Sequence, residues 1–277
     1  MPLQYVAAVE RYVIRGGAEG FIRLRTLASL RLPDTRMLFD RIGVRAGWTC
    51  ADLGSGSGDI TAEIARRVGR SGSVTGFDMD RTKVDLAGAL VAEQGLDTVR
   101  FAVADLRTWT ATAEYDLVYC GLVLQHLRDP ADLVRRMWAA VRPGGVLVVE
   151  DADFDGLFCH PPCAAFDFYA EKYRAVLRSQ GGDPEMGRKV YGLFLDAGIL
   201  APQVKVVQRG EIGEHAKSMA PWTLETTADA IIDQDLATRT EIDAALTQLR
   251  AYVADPSTLV GDPRLFQVWA HRGESGR

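Results

Sequence analysis

Residues 47–58 read Gly-Trp-Thr-Cys-Ala-Asp-Leu-Gly-Ser-Gly-Ser-Gly, and this stretch decides the fold. Its first half, Trp48–Leu53, is predicted to form a strand that ends at the glycines, and Ile60–Val68 returns to helical spacing. Because glycine lacks a Cβ atom and adopts positive φ, a ligand can approach this backbone closely, beside the free amides of the next helix. The turn therefore predicts a nucleotide-like ligand at the carboxyl end of the first strand.

The charges around the turn narrow the class of nucleotide. The dinucleotide fingerprint requires a glycine at the sixth place from Gly54, and Asp59 stands there. Asp52, at the strand tip, would repel a pyrophosphate but suits a ligand that carries an ammonium or sulfonium. Asp78 follows Gly58 by 20 residues, where a carboxylate can accept hydrogen bonds from ribose hydroxyls. We expect a cationic nucleotide with free ribose hydroxyls.

Outward from the turn, strands and helices alternate along the chain. The next predicted strands are Ser73–Phe77, Val99–Val103, Tyr115–Cys120 and Val146–Glu150, and the helices between them cover Arg81–Gln94 and residues 130–141. Two later strands are predicted at Val204–Gln208 and Leu265–Ala270. Continuous apolar strands alternating with helices predict an α/β fold with a doubly wound, seven-stranded and mostly parallel sheet.

The rest of the chain is predicted to surround this sheet within a single domain. Residues 1–46 form an N-terminal helical cap, with a break at Gly16-Gly17 and separate helices over Glu19–Leu30 and Thr35–Ile42. Residues 47–150 form the Rossmann-like core. Residues 151–277 contribute helices on the substrate side and the last strands of the sheet.

Composition excludes several classes of protein. A net charge of −5 argues against binding nucleic acid by phosphate neutralisation. The four cysteines give no disulfide framework, which is typical of a reduced cytoplasmic protein. The N-terminus lacks a signal-peptide pattern, and no stretch approaches the roughly 20 apolar residues that span a membrane.

Several motifs in register carry a family resemblance. They are Asp52–Gly58, Gly76–Met79, Ala104–Leu106, Tyr115–Val118, Leu124–His126 and Arg142–Gly145. Together they resemble the class I S-adenosylmethionine-dependent methyltransferases of the small-molecule type, over residues 47 to about 150. The absence of an Asn-Pro-Pro-Tyr-type motif after the fourth strand argues against relatives that modify adenine, glutamine and many RNA nitrogens.

The resemblance implies a set of residues that bind S-adenosyl-L-methionine. Asp52, Gly54, Ser55, Gly56 and Gly58 would surround the methionine part, Asp78 the ribose, and Met79, Asp105 and Leu106 the adenine, while Gly121 would offer a carbonyl to the ammonium. Tyr12 and Arg23 would close over the cofactor from the cap, with Arg23 pairing with its carboxylate in competition with Arg15 and Arg25. Two of these residues also have a purely structural interpretation. Met79 can serve general packing, and Asp105 can be a loop carboxylate that faces water.

Methyl transfer gains most from orientation of donor and acceptor and from exclusion of water, and its only proton chemistry is deprotonation of the acceptor. His126 after the fourth strand, and His160 and Asp151 after the fifth, are the candidate catalytic residues. Packing or cofactor-side bonding is the alternative for His126. No metal is predicted, since the acidic run Glu150–Asp155 also fits an ordinary strand-end loop.

The acceptor is less clearly encoded than the donor. An aromatic segment follows the fifth strand, with Phe154, Phe158, Phe166, Phe168, Tyr169 and Tyr173. It fits either core packing or a pocket for an apolar or aromatic metabolite, and O-methylation in natural product biosynthesis is favoured. The alternatives are a protein of this fold that binds the cofactor but catalyses cyclisation, decarboxylation or hydroxylation, and a cofactor sensor. A homodimer is left open.

Overall fold

The fold is built around a seven-stranded sheet. The computed structural model describes residues 17–273. The strands are β1 (Thr49–Leu53), β2 (Ser73–Asp78), β3 (Val99–Val103), β4 (Tyr115–Gly121), β5 (Val141–Asp153), β6 (Phe158–His160), β7 (Gln203–Val207), β8 (Gly210–Glu211), β9 (Leu259–Gly261) and β10 (Arg264–His271). The large sheet has the order β3-β2-β1-β4-β5-β10-β7. Its first five strands are parallel, and β10 is antiparallel to both β5 and β7. The predicted doubly wound, mostly parallel sheet is confirmed.

Nine α-helices lie within the described residues. They are α1 (Gly17–Ile42), α2 (Asp59–Val68), α3 (Arg81–Glu93), α4 (Pro130–Ala140), α5 (Ala164–Ser179), α6 (Met186–Asp196), α7 (Glu214–Lys217), α8 (Met219–Asp233) and α9 (Arg239–Ala254). Several begin at side-chain caps that the sequence supplies. The Asp80 carboxylate accepts hydrogen bonds from the first amides of α3, and Thr238 and Glu241 form a capping box at α9. None of the helices in residues 17–273 is long and apolar enough to cross a membrane.

The cap helix differs from its prediction. One continuous helix, α1, replaces the two helices expected on either side of residues 31–34, although Pro33 lies inside it. A proline in a helix interior removes a hydrogen bond and costs about 3 kcal/mol. Tertiary contacts on both sides of the proline hold this helix together, because the side chains of Arg31 and Thr35 both donate to Glu150.

Three apolar clusters place the helices around the sheet. One face of the sheet packs on α4 and α6, around Met137 and Phe194, and the other packs on α1 and α2, around Phe39 and Ile64. The third cluster joins α5, α8 and α9 and lies beyond the carboxyl ends of the strands. The strands β6, β9 and β8 form a small antiparallel sheet of their own. The segment after β5 therefore has its own core, set over the edge where β1, β2 and β4 end.

Candidate active site

The glycine turn after β1 has the backbone that the sequence predicts. Gly54, Gly56 and Gly58 have φ values of 76°, 53° and 79°, which non-glycine residues rarely adopt. The amide of Gly54 donates to the Phe77 carbonyl at 2.8 Å and so ties the turn to β2. A Cβ atom at Gly54 would lie 2.2 Å from Cγ2 of Val123, so the position has no room for a side chain.

Asp52 lies beneath this turn as a buried acid. Its carboxylate accepts a hydrogen bond of 2.6 Å from the Thr61 hydroxyl. Burial raises the pKa of Asp52 to about 7, and the negative charge of Asp78 acts in the same direction. A cation placed beside an acid in this state lowers its pKa, because the cation favours the ionised form.

Asp78 holds the end of β2 against the same turn. Its two carboxylate oxygens accept the amides of Gly56 and Asp80, each at 3.0 Å. The carboxylate is buried, yet it lines the large cavity described below. It is therefore fixed in orientation before any ligand arrives.

The residues expected around an adenine border the same space. Met79 is 52% exposed and lines the cavity together with Leu106 and Asp105. The Asp105 carboxylate already accepts hydrogen bonds from the backbone amide and guanidinium of Arg107, which lower its pKa. The three side chains are thus near one another in the cavity wall, with Asp105 engaged by a neighbour.

The tip of β4 carries a strained residue that the sequence analysis did not identify. Leu122 has a φ of 58°, and its amide donates to the Glu150 carbonyl at 2.8 Å. A left-handed conformation costs a residue with a side chain roughly 1–2 kcal/mol. Leu122 and its neighbour Gly121 both line the cavity. Such strain is frequent at functional sites, although no sequence signal marks it when the residue is a leucine.

One cavity of about 1120 Å³ connects these residues with the segment after β5. A pocket for one drug-sized ligand has roughly 300–1,000 Å³, so this cavity is large enough for two ligands. Its floor is formed by the tips of β1, β2 and β4. Its far wall comes from α5, from α8 and from the short 3₁₀ helix after β5, with Phe154, Phe166, Tyr169, Tyr173, Ala220 and Thr223. Four side chains of the aromatic segment thus both pack in the third cluster and line the cavity: Phe154, Phe166, Tyr169 and Tyr173. Phe168 packs against the cluster without lining the cavity, and Phe158 is exposed.

The acidic run after the fifth strand is not a loop. The strand β5 continues to Asp153, and Glu150, Asp151 and Asp153 are fully buried. The carboxylate of Asp151 accepts the amides of Gln125 and Ala152, and burial raises its pKa to about 7. Asp151 does not line the cavity, which corrects its expected place beside the substrate. Within residues 17–273, no group of histidine, cysteine and acidic side chains could hold a metal ion.

The two candidate histidines have different positions. His126 lies in a short 3₁₀ helix after β4 and lines the cavity. Burial lowers its pKa to about 3, with a further contribution from the positive charge of Arg23. His160 is exposed on β6 and is not part of the cavity wall, because the small sheet turns this residue outward. The structure therefore brings His126, and not His160, to the site.

The two cap arginines Arg23 and Arg25 differ in burial and in their partners. Arg23 is buried in the cavity wall, where its Nε and Nη2 donate to the Thr223 hydroxyl at 3.3 and 3.1 Å, and its Nη1 is buried without a partner. Arg25 lies outside the cavity and pairs with Asp59 at 3.7 Å, half exposed. Tyr12 and Arg15 lie outside the described residues.

A second cap arginine, Arg31, was missed by the sequence analysis. Its Nη2 donates to the Tyr119 hydroxyl at 3.1 Å and to the Glu150 carboxylate at 3.2 Å, and its Nε is buried without a partner. Glu150 also accepts from Thr35 at 2.9 Å and from Gln267 at 2.6 Å. The sequence carries only a weak signal for Arg31. This residue lies about two helical turns after Arg23, but the helix is predicted to end at residue 30.

Comparison with known proteins identifies the domain that holds the turn. Residues 50–145 match the family described as "Methyltransferase domain". The chain is 38% identical over 116 residues to trans-aconitate 2-methyltransferase of Methylobacterium radiotolerans, covering 42% of each chain. It is 29% identical over 137 residues to ubiquinone biosynthesis O-methyltransferase of Stutzerimonas stutzeri, covering 49% of this chain and 56% of that one. The chain thus spans about half the length of these curated relatives, or less.

Solved structures resemble the fold over a longer stretch. A putative methyltransferase from Bacillus halodurans superimposes with a TM-score of 0.60 at 16% identity, covering 87% of this chain and 99% of that one. The [4+2]-cyclase SpnF superimposes with a TM-score of 0.53 at 16% identity, covering 87% of this chain and 80% of that one. At this identity the likeness supports the fold alone.

Proposed function

We propose that this chain, whose residues 50–145 match the family described as "Methyltransferase domain", transfers a methyl group from S-adenosylmethionine to a small-molecule acceptor. The observation that carries the proposal is the pairing of the buried acid Asp52 with the glycine turn on one cavity that has room for two ligands. The cofactor supplies a methyl group on a positively charged sulfonium, which becomes neutral when the methyl leaves.

The residues around the turn fit this cofactor. The hydroxyl of Ser55 is buried in the cavity wall without a hydrogen-bond partner, and such groups are costly unless a ligand satisfies them. Asp52 would favour the ammonium or sulfonium charge, and Asp78 would accept from the ribose. Arg23, with its free Nη1, would bind the carboxylate. Met79 and Leu106 would pack on the adenine.

For the acceptor we propose an apolar or aromatic metabolite that is methylated on oxygen. The support is the far wall of the cavity, where Phe154 after β5 and Phe166, Tyr169 and Tyr173 of α5 enclose the part away from the glycine turn. These side chains exclude water and orient a planar body, which are the contributions that methyl transfer needs most.

The test of this function uses S-adenosylmethionine labelled on its methyl group together with a panel of phenols, hydroxyacids and polyketide-like alcohols. We expect labelled product and an equal amount of S-adenosylhomocysteine. Conversion of a substrate without loss of the cofactor's methyl would instead favour cyclisation, decarboxylation or hydroxylation. Binding of the cofactor without conversion of any acceptor would favour a sensor.

The raised pKa of Asp52 predicts that the cofactor binds more tightly as the pH rises towards 7. The bound cation would lower this pKa, so Asp52 releases its proton on binding, and affinity should rise up to about tenfold per pH unit below pH 7. The pH dependence of folding has the opposite direction. The pKa of Asp52 is raised on folding, so the free energy of unfolding of the cofactor-free protein falls as the pH rises through about 7. Calorimetry at pH 6.5 in two buffers of different ionisation enthalpy measures the released proton.

Asp151 provides the matched control for Asp52, because burial also raises its pKa to about 7 but it does not line the cavity. Asp52→Asn should remove the released proton, whereas Asp151→Asn should leave it unchanged. A wild-type protein that binds the cofactor at pH 6.5 with no proton release would show that Asp52 does not face its charge.

The lowered pKa of His126 predicts a limited role in proton transfer. A base with a pKa near 3 is neutral at physiological pH and has little tendency to take a proton. We expect His126→Asn to reduce kcat by about tenfold or less and to leave the pH dependence of kcat/KM between pH 6 and 9 unchanged. His215→Asn, outside the cavity wall, is the control. A loss of about 100-fold or more, with disappearance of a pH limb, would establish His126 as a general base instead.

A further inference from the structure

Asp262 is a half-buried acid in the wall of the cavity. Among residues 17–273, no side chain or backbone amide donates a hydrogen bond to its carboxylate, and no cation forms an ion pair with it. The other acids of the wall are hydrogen-bonded, paired or exposed. Asp34, for example, pairs with Arg209 at 2.8 Å, and Asp233 is exposed on α8. A half-buried carboxylate without a donor is unfavourable, so this site can receive a donor from a ligand.

The position of Asp262 separates it from the proposed cofactor residues. It stands two residues before β10, whose start meets the carboxyl end of β5, with Arg264 opposite Asp153. In the order of the sheet, β10 is three strands away from β1. Neighbouring strands are about 4.8 Å apart, which places the start of β10 about 14 Å across the sheet from the strand of Asp52. Asp262 is therefore at the same edge of the sheet as the cofactor residues but in another part of the cavity.

The backbone of Asp262 is fixed before any ligand arrives. Its amide donates to the Arg209 carbonyl at 2.9 Å, and its carbonyl accepts the side-chain amide of Gln208 at 3.1 Å. Pro263 follows, and a proline ring restricts the conformation of the residue before it. The carboxylate is thus held in one region of the wall, which reduces the entropy cost of binding a ligand there.

The carboxylate lies near the aromatic wall of the cavity. Burial raises the pKa of the Tyr169 hydroxyl, and the negative charge of Asp262 adds to this effect. Tyr169 lines the cavity together with Phe166, and the two ring centres are 5.7 Å apart. An ammonium group is attracted both to a carboxylate and to the face of an aromatic ring. These groups together have the chemistry of a site for an organic cation.

The charges around Asp262 leave this part of the cavity negative. Burial raises the pKa of Asp262 to about 6, the negative charge of Glu211 on β8 acts in the same direction, and the positive charge of Arg209 opposes them. Arg209 is shared, because it also pairs with Asp34 at 2.8 Å and with Glu211 at 3.7 Å. A cation that enters with a ligand would therefore stabilise the ionised carboxylate.

Two further cations on neighbouring elements are already engaged. Arg264 on β10 pairs with Asp153 at 3.5 Å. Lys217 on α7 donates to the Asp255 carbonyl at 2.7 Å and to the Thr258 hydroxyl at 3.0 Å. Neither side chain neutralises the carboxylate in the cavity wall.

We propose that Asp262 binds a positively charged amine on the acceptor, and that the substrates of this chain are aromatic amines. The proposal rests on the proposed function and adds a substrate class to it. The ammonium donates a charge-assisted hydrogen bond to the carboxylate, and the rings of Phe166 and Tyr169 contact the ammonium and the planar body. The amine holds the acceptor in place, and the oxygen that receives the methyl group is another atom of the same molecule.

The experiment compares amines with the alcohols of the same body. Benzylamine, 2-phenylethylamine and 3-phenylpropylamine are titrated at pH 7.5 against benzyl alcohol, 2-phenylethanol and 3-phenylpropanol, using the full chain saturated with S-adenosylhomocysteine. We expect at least one amine to bind about tenfold or more tightly than its alcohol. In Asp262→Asn, which keeps the size of the side chain but removes its charge, this preference should fall below about twofold.

The preference for the amine should also depend on pH. The amines stay protonated between pH 5 and pH 7.5, whereas a carboxyl with a pKa of about 6 is mostly ionised at pH 7.5 and mostly protonated at pH 5. The preference should therefore fall about tenfold from pH 7.5 to pH 5. Glu211 raises this pKa from outside the cavity wall, so the fall should be smaller in Glu211→Gln.

Two further variants keep the result interpretable. Asp233→Asn removes the charge of another acid that lines the cavity, an exposed one on α8, and should keep the preference. If Asp262→Asn has a lowered melting temperature, Asp262→Ser removes the same charge with a smaller side chain and should also lose the preference.

The proposal is wrong if the wild type prefers none of the amines, if the preference survives in Asp262→Asn, or if Asp233→Asn loses it. A tenfold or greater loss of S-adenosylmethionine affinity in Asp262→Asn would also overturn it, because Asp262 would then belong to the cofactor. The proposed function fails separately, through absence of cofactor binding or of methyl transfer by the wild type. The amine and alcohol titrations can then be made on the free chain.

Discussion

Replacing Gly54 by alanine is expected to abolish useful binding of S-adenosylmethionine, raising Kd by at least about 100-fold. The new Cβ atom would stand 2.2 Å from Cγ2 of Val123, a β-branched side chain with little rotational freedom, in a residue whose φ is 76°. Overpacking of this kind costs about 1–3 kcal/mol, and the left-handed backbone adds about 1–2 kcal/mol. The turn must shift to relieve both. Calorimetric titration of the cofactor, with a thermal melt of each variant, measures the effect.

Gly43 provides a control with almost the same backbone. Its φ is 75°, and a Cβ atom there would meet nothing within 4 Å. Gly43→Ala should therefore show the backbone cost of about 1–2 kcal/mol in stability, with unchanged affinity for the cofactor. Adding Val123→Ala to Gly54→Ala should recover part of the affinity, because it removes the contact. Equal behaviour of the two glycine variants would mean that the turn does not shape the cofactor site.

Removing the charge of Asp78 should have the second large effect. Asp78→Asn keeps the size of the side chain but replaces a carboxylate that would accept from the ribose hydroxyls by a neutral amide. A hydrogen bond to a charged group is worth about 1.5–3 kcal/mol, so Kd for S-adenosylmethionine should rise by about 10- to 150-fold. Asp78→Ala should lose more, because the bonds to the amides of Gly56 and Asp80 also disappear.

Asp85 is a suitable control for this charge, since it is exposed on α3 and pairs with Arg81 at 3.9 Å, away from the cavity. Asp85→Asn should leave the affinity unchanged within about twofold, as expected for an exposed ion pair. Adenosine, which has the ribose but lacks the charged part of the cofactor, separates the causes. Its binding should weaken in Asp78→Asn and be unaffected in Asp52→Asn; the reverse pattern would contradict the assignment of Asp78 to the ribose.

The glycine turn and the strands around it were predictable because their signals are local in sequence. A turn that needs positive φ selects glycine, and a strand buried on both faces selects an apolar run, so Gly54 and Val146–Glu150 were recognisable without any tertiary contact. The antiparallel strand β10 could be placed for the same reason, since residues 265–270 carry a strand pattern of their own.

The arrangement around the end of β5 depends on contacts between distant residues, which no local pattern shows. Pro33 predicts a helix boundary, yet Arg31 and Thr35 reach Glu150 from either side of it and the helix continues. Glu150 and Asp151 have the composition of an exposed loop but are buried, because partners from α1, β4 and β10 satisfy Glu150, and backbone amides satisfy Asp151. His160 could not be placed, because the small sheet that turns it outward depends on pairing with residues 259–261.

The position of β10 in the sheet has a consequence for how the chain is made. Among the strands of residues 17–273 it comes last along the chain, but it lies between β5 and β7 instead of at an edge. During synthesis, the strands β3, β2, β1, β4 and β5 can assemble as they leave the ribosome, while β7 has no neighbour to pair with until residues 264–271 emerge. The exposed margin of β5 is meanwhile an open template for pairing with other chains. The nascent protein thus completes the β3-β2-β1-β4-β5 part of the sheet early and the β10-β7 part last, and a chaperone that shields β5 would act in that interval.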